Sequence, residues 1–132
     1  VLMFDLDFFK QINDEWGHQV GDVALIHFCD CIRELIPVDS ALGRVGGEEF
    51  LLLLARTDGN AAMLLSARLR SVLSTKPLRV GDKKLVLSFS AGVVEVCQPQ
   101  RDTSALLMRA DKALYDAKRM GRGKTVVASD YL

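Results

Sequence analysis

Four acidic side chains sit where they could do chemistry together. Asp5 closes the apolar run "VLMFD", and Asp7 follows two residues later. Glu48 and Glu49 follow a glycine pair in "GRVGGEEFLLLL", at the mouth of a second apolar run. Carboxylates gathered at the ends of neighbouring strands repel one another unless a cation lies between them. Hard oxygen ligands of this kind suit Mg²⁺ or Mn²⁺. Two carboxylates plus phosphate oxygens are a common way to hold Mg²⁺ at a phosphoryl-transfer site. Spacing alone is equally compatible with four solvated turn residues, because a Gly-Gly-Glu-Glu turn arises readily by chance.

Further polar residues fall around this group. The segment "DLDFFKQINDEWGHQVGD" could aim backbone N–H groups at an anion, with Lys10 as a nearby point charge; it carries neither a GxxxxGK[ST] nor a GxGxxG pattern. Asn13 and Asp22 flank the start of a helical stretch. Together they could read a base edge, or they could simply cap helices. Lys118 and Arg122 stand four apart, placed either to complement a helix C-terminus or to grip phosphates. His27 falls on an apolar face and reads as a satisfied core residue. His18 reads as structural, and Trp16, Phe8 and Phe9 read as packing anchors.

The elements that must carry these residues follow from periodicity. "VLMFD" predicts a short buried strand. The stretch after it predicts a loop with one or two helical turns, broken at Gly17. From Val20 the apolar spacing becomes helical through Val23, Ala24, His27 or Phe28, Cys31 or Ile32, Leu35 and Ile36, until Pro37. "ALGRV" and "FLLLLA" predict a hairpin with the two glycines and two glutamates at its turn. Asp58 or Asn60 caps a helix to about Ser74, with Ala61, Leu65, Leu69 and Val72 inward. "LRVGDKKLVLSFSAGVVEV" predicts a hairpin turning at Gly81-Asp82, its second arm alternating from Leu85 to Val93. Asp102 or Thr103 caps a last helix along Leu106, Leu107, Ala110, Ala113, Leu114 and Ala117, ended by Gly121 and Gly123, before the strand "KTVVA". The expected class is α+β, a mostly antiparallel sheet with helices packed on it.

Bulk properties bound the rest. With 132 residues, 49% hydrophobic and 26% charged, the chain is expected to form one domain. Lys+Arg and Asp+Glu each number 17, and this zero net charge argues against a nucleic-acid polymer or an anionic membrane as partner. It leaves room for a single nucleotide held through metal ions. The cysteines at 29, 31 and 97 are expected to be reduced core thiols of a cytoplasmic domain. No apolar stretch approaches the roughly 20 residues that span a bilayer. The chain starts inside a strand-like run, so an N-terminally incomplete domain is expected.

Taken together, "FDLDFFKQINDEWGHQVGD", "RVGGEEF", "SFSAGV" and "RADKALYDAKRMGRG" resemble, in order and spacing, the GGDEF domain family of diguanylate cyclases. The resemblance runs over essentially the whole chain. It implies the GGDEF fold, akin to the palm of polymerases and the class III nucleotide cyclases. It implies a bacterial signalling reaction in which two GTP molecules become cyclic di-GMP and two pyrophosphates. Each subunit of a homodimer would present one GTP, with two Mg²⁺ or Mn²⁺ ions per site.

By matching position, Asp5, Glu48, Glu49 and the backbone carbonyl of Leu6 would hold metal, with Glu48 alternatively the base for the 3′-hydroxyl. Asn13 and Asp22 would recognise guanine. Phe8, Phe9 and Lys10 would line the phosphate loop, and Lys118 and Arg122 would hold the triphosphate. Gly46 and Gly47 would let the nucleotide approach. Glu48 in place of the aspartate of the family name keeps the carboxylate. The family's product-inhibition motif, Arg-x-x-Asp, has Pro37 and Ser40 at its end positions, so no product-inhibition site is expected there. The family's opening helix and Asp-x-Leu-Thr stretch are not among these 132 residues, and an upstream sensory or dimerisation domain is expected in the full-length protein. The alternatives are a catalytically silent GTP-binding regulatory module, or a cyclase acting on one nucleotide or a mixed pair.

Overall fold

The computed structural model describes residues 1–96 and 102–128. In chain order these form β1 (Leu2–Leu6), α1 (Phe9–Trp16), α2 (His18–Arg33), β2 (Ala41–Gly46), β3 (Glu49–Leu53) and α3 (Gly59–Thr75), then β4 (Leu78–Val80), β5 (Lys83–Leu85), β6 (Phe89–Val93), α4 (Thr103–Arg119) and β7 (Thr125–Val127). The central sheet runs β2-β3-β1-β6-β7, while β4 and β5 pair apart as a small hairpin. Every central pairing is antiparallel except β6 with β7. The α+β class with a mostly antiparallel sheet is the one expected from the sequence.

All five residues of β1 are buried, because helices cover both faces of the middle of the sheet. Strand alternation sends Leu2, Phe4 and Leu6 to one face and Met3 and Asp5 to the other. On the first face Phe4 meets Phe28 of α2 and Phe89 of β6 edge-on, at centroid distances of 6.0 and 5.4 Å. Residues of α1, α2 and α3 complete that core. On the second face Met3 packs with Val94 and with Ala110 and Leu114 of α4. The inward stripe of α4 is small, with Ala110, Ala113 and Ala117 buried. It lies over Gly92, where an added Cβ would stand 2.5 Å from the Leu114 backbone nitrogen and collide with the Ala110 carbonyl oxygen. A glycine on the sheet and alanines on the helix thus let these two elements approach closely.

Several local expectations need correction. The second arm of the Gly81 hairpin is not one alternating strand. It stops at Leu85, and β6 begins at Phe89 with all five residues buried. Alternation is lost because β6 lies between β1 and β7 with helices above and below. Helix α3 is rotated from the expected face: Ala62, Ser66, Leu69 and Leu73 are buried, Ala61 is exposed, and Leu65 and Val72 are half-buried. Ser66 can turn inward because its hydroxyl donates to the Met63 carbonyl at 3.0 Å. Val23 of α2 is 49% exposed, since Ala24, Leu25, Phe28, Cys31 and Ile32 form the inward stripe. The expected caps are Asp58, accepting from the Ala61 N–H at 2.8 Å, and Asp102, accepting from the Ala105 N–H at 3.2 Å. His27 is half-buried and lies 2.7 Å from the Lys76 carbonyl oxygen. Cys29 and Cys31 are free, and burial raises the pKa of both thiols. Cys97 lies outside the described residues. No described helix is long and apolar enough to cross a membrane.

Candidate active site

The acidic cluster is built by strand register. β1 and β3 pair so that Asp5 stands directly opposite Glu49. Opposed residues of an antiparallel pair carry their side chains on the same face. That face is the one α4 covers, so both carboxylates project toward the last turn of α4. There the Lys118 ammonium binds the Asp5 carboxylate. Asp5 is 5% exposed. Burial raises its pKa; the Lys118 ammonium draws it back down, and Glu48 and Asp7 push it up. Glu49 is also raised, first by burial and then by the charge of Asp5. A pair of carboxylates held in this way favours a proton or a cation over leaving the charges bare.

The turn that delivers Glu48 and Glu49 is braced from below. Arg44 donates through Nε to the Gly47 carbonyl at 2.8 Å, and the Leu6 N–H donates to the Glu48 carbonyl at 3.3 Å. Gly47 sits at φ +51°, in the left-handed region that glycine occupies at no steric cost. Nothing lies within 4 Å of a Cβ built on Gly46 or Gly47, so the space above the turn is open.

Two donors that suit a metal, Asp5 and Glu49, are therefore adjacent, with Glu48 at the same turn. Among the described residues, no three His, Cys, Asp or Glu side chains are close enough to cage an ion unaided. The donor set still fits Mg²⁺, which keeps several waters and takes one or two carboxylates together with substrate phosphates.

The structure distributes the other expected residues around this centre. Lys118 is beside Asp5, its side chain 29% exposed. Arg122 is exposed at φ +66°, its guanidinium 5.3 Å from the Phe8 ring centroid. Phe8 is not a packing anchor: it caps α1 at φ +59° and is 54% exposed. Phe9 and Trp16 do pack on the core, partly buried. Lys10 is exposed on the first turn of α1. Asn13 lies against α2 at Gly21, where an added Cβ would meet the Asn13 Oδ1 and stand 3.0 Å from its Cγ. Asp22, the next residue, is exposed. The α1–α2 corner thus sets Asn13 against Gly21, the residue before Asp22. Pro37 and Ser40 lie between α2 and β2, where Asp39 is ion-paired with Arg56.

Sequence reasoning left Asp7 as one of four acids without a distinct part. It is 4% exposed and fully engaged, accepting from the hydroxyls of Ser88 and Ser90 at 2.7 Å each and from the Gly123 N–H at 2.9 Å. The motif "SFS", with hydroxyls two apart on one strand face, carried that signal. Arg70 of α3 gave none, yet it reaches the same loop, donating through Nε to the Gly123 carbonyl at 3.1 Å and through Nη2 to Thr125 Oγ1 at 2.8 Å.

In sequence and fold, known proteins match nearly the whole chain. The family model described as "Diguanylate cyclase, GGDEF domain" matches residues 1–124. Diguanylate cyclase A of Treponema denticola is 35% identical over 132 residues, covering 100% of this chain and 36% of that protein. The diguanylate cyclase SiaD of Pseudomonas aeruginosa, solved with its activator SiaC, is 42% identical with a TM-score of 0.89, over 96% of this chain and 48% of SiaD. The active GGEEF domain of a Vibrio cholerae diguanylate cyclase is 30% identical with a TM-score of 0.83, over 98% of this chain and 81% of that one. The chain spans roughly a fifth to a third of the length of the curated relatives it matches. By the family model over residues 1–124 and by its likeness to these solved structures, this chain belongs to the GGDEF domain family of diguanylate cyclases.

Proposed function

We propose that this domain condenses two GTP molecules into cyclic di-GMP, releasing two pyrophosphates, as one half of a homodimeric site. The observation that carries the reading is the face-to-face register of Asp5 and Glu49, both with raised proton affinity, beside the Lys118 ammonium. Such a group, costly to leave bare, fits a site that concentrates positive charge around phosphates. Asp5, Glu49 and the Leu6 carbonyl would hold Mg²⁺ or Mn²⁺, two ions per site. When bound, the metal supplies charge stabilisation at the attacked phosphorus and at the leaving pyrophosphate.

The remaining steps belong to the chain's own residues. In each condensation the 3′-hydroxyl oxygen of one GTP bonds to the α-phosphorus of the other. The α–β anhydride bond breaks, pyrophosphate departs, and Glu48 takes the hydroxyl proton. Lys118 and Arg122 hold the triphosphate, while Phe8, Phe9 and Lys10 shape the loop beneath it. Asn13 and Asp22 select guanine, the carboxylate accepting from N–H groups and the amide serving as donor and acceptor. Gly46 and Gly47 keep the approach clear. The second GTP comes from a second copy of the domain, brought together by an upstream sensory or dimerisation module of the intact protein, on the cytoplasmic side where GTP is available. With Pro37 and Ser40 at the ends of the inhibitory motif, product does not shut the reaction down through that site.

The test is incubation of the intact protein with GTP and Mg²⁺, the products resolved by mass spectrometry beside a Glu49→Ala control. Cyclic di-GMP that disappears in the control is the expected result. GTP bound without any product at high protein concentration would overturn the catalytic reading in favour of a regulatory GTP-binding module.

A further inference from the structure

Phe8 and Arg122 are two of only three non-glycine residues with positive φ among the described residues, and they face each other. A side chain in the left-handed region persists only where its surroundings over-determine it. The reason lies on either side of the pair. Asp7 precedes Phe8, and Gly123 follows Arg122. The Asp7 backbone N–H donates to the Ser88 carbonyl at 2.9 Å, fixing the exit from β1. The Asp7 carboxylate takes the Gly123 N–H. Arg70, coming from α3 on the other side of the sheet, takes the Gly123 carbonyl. The peptide groups on both sides of this one glycine are therefore held by opposite charges from two separate elements. Arg70 is itself seated, with its guanidinium 4.3 Å from the centroid of the buried Phe89 ring and bonded to Thr125.

We propose that Asp7 and Arg70 clasp Gly123 and thereby position the Arg122 guanidinium, which makes both of them positioning residues for nucleotide binding. The proposal rests on the reading that Arg122 binds the triphosphate. Neither Asp7 nor Arg70 needs to touch GTP. Holding Gly123 fixes the left-handed turn at Arg122, so the side chain is presented over Phe8 without a search through loop conformations. Pre-organisation of this kind shows as tighter substrate binding, because the ordering cost is met before the substrate arrives.

The experiment uses Arg70→Met, Arg70→Lys, Arg122→Ala and the double variant Arg70→Met/Arg122→Ala of the intact protein, with Asp7→Asn as a near-isosteric companion. Two readouts are taken: the KM and kcat for GTP, and amide hydrogen exchange at Arg122 and Gly123. Arg70→Met is expected to speed exchange at Gly123 and to raise KM by roughly tenfold, the scale of one hydrogen bond to a charged group. Arg122→Ala is expected to raise KM similarly, and the double variant to be no worse than Arg122→Ala alone. Arg70→Lys can reach one of these acceptors and is expected to recover part of the loss.

Independent, additive effects of Arg70→Met and Arg122→Ala on KM would overturn the proposal, leaving Arg70 a purely structural residue. Unchanged Gly123 exchange in Arg70→Met would overturn the clasp itself, whatever happens with GTP. Faster exchange in Arg70→Met, with KM unmoved there and in Arg122→Ala, would instead overturn the triphosphate role of Arg122, and the positioning proposal with it.

Discussion

Gly92→Ala is the most decisive single perturbation of the scaffold. The added methyl would stand 2.5 Å from the Leu114 nitrogen and 3.0 Å from the Ala113 carbonyl carbon, and would also strike the Ala110 carbonyl oxygen. All three are backbone atoms of a helix interior, so no rotamer change relieves them. Ordinary contact between such atoms begins near 3.5 Å, so α4 must back away from β6 by about 1 Å. Overpacking of this kind costs about 1–3 kcal/mol, a fall in melting temperature of roughly 4–15 °C for a domain of this size. Because Lys118 rides on α4 and pairs with Asp5, the same shift pulls the cation away from the acidic pair. A displacement of that size at a reacting centre can cost about 100-fold in rate.

The assay is thermal unfolding together with GTP turnover, beside Gly43→Ala on β2 as control, where nothing lies within 4 Å of the new methyl. Loss of both stability and turnover in Gly92→Ala alone is expected. A Gly92→Ala protein that melts and turns over like the native one would refute the packing of α4 on β6 as the site's support.

Three further outcomes are expected. Gly21→Ala places a methyl against Asn13, so KM for GTP should rise several-fold with a melting temperature within a few degrees of native; unchanged KM would remove Asn13 from the guanine site. Lys118→Met leaves the buried Asp5 carboxylate without its cation, at a cost of about 1–3 kcal/mol in EDTA. Mg²⁺ should narrow that deficit, and a melting-temperature gap that ignores Mg²⁺ would count against metal on Asp5. Third, the raised pKa values of Asp5 and Glu49 mean that both bind protons at a higher pH than free carboxylates do. Without metal, the stability associated with these two groups is fully present below their unfolded-state pKa values and is lost as pH rises through the raised folded ones. Metal needs the ionised forms, so the Mg²⁺ concentration for half-maximal turnover should climb as pH falls from neutral; a flat Mg²⁺ requirement would argue against these ligands.

Legibility in the sequence followed locality. Strand β1, the Glu48–Glu49 turn, the capping aspartates and the inward alanines of α4 are set by patterns within a few residues, and the sequence shows them plainly. Leu85 and Phe89 looked like one strand because alternation within the run does not reveal that β6 is covered on both faces while β5 belongs to a separate hairpin. On α3, Leu65 looked better inward than Ser66, since hydropathy does not count the Met63 carbonyl that satisfies the serine. Arg70 carries no signal in its own neighbourhood. Its worth depends on Gly123, 53 residues away, and no short-range pattern carries that. Phe8 read as a buried anchor because an aromatic pair usually packs, yet the left-handed turn sends one ring in and the other out.

The pairing of Asp5 with Lys118 joins residues 113 positions apart, one from near the start of the described chain and one from its last helix. During synthesis at about 5–20 residues per second, roughly 6 to 23 seconds separate the appearance of the two. Throughout that interval the nascent chain holds β1 and its acidic end without the helix that seals the second face of the sheet. The emerging polypeptide therefore carries the acidic pair without its lysine until α4 is made. A fragment ending before α4 is expected to hold Asp5 and Glu49 with neither the Lys118 ammonium nor the helix that packs on Gly92.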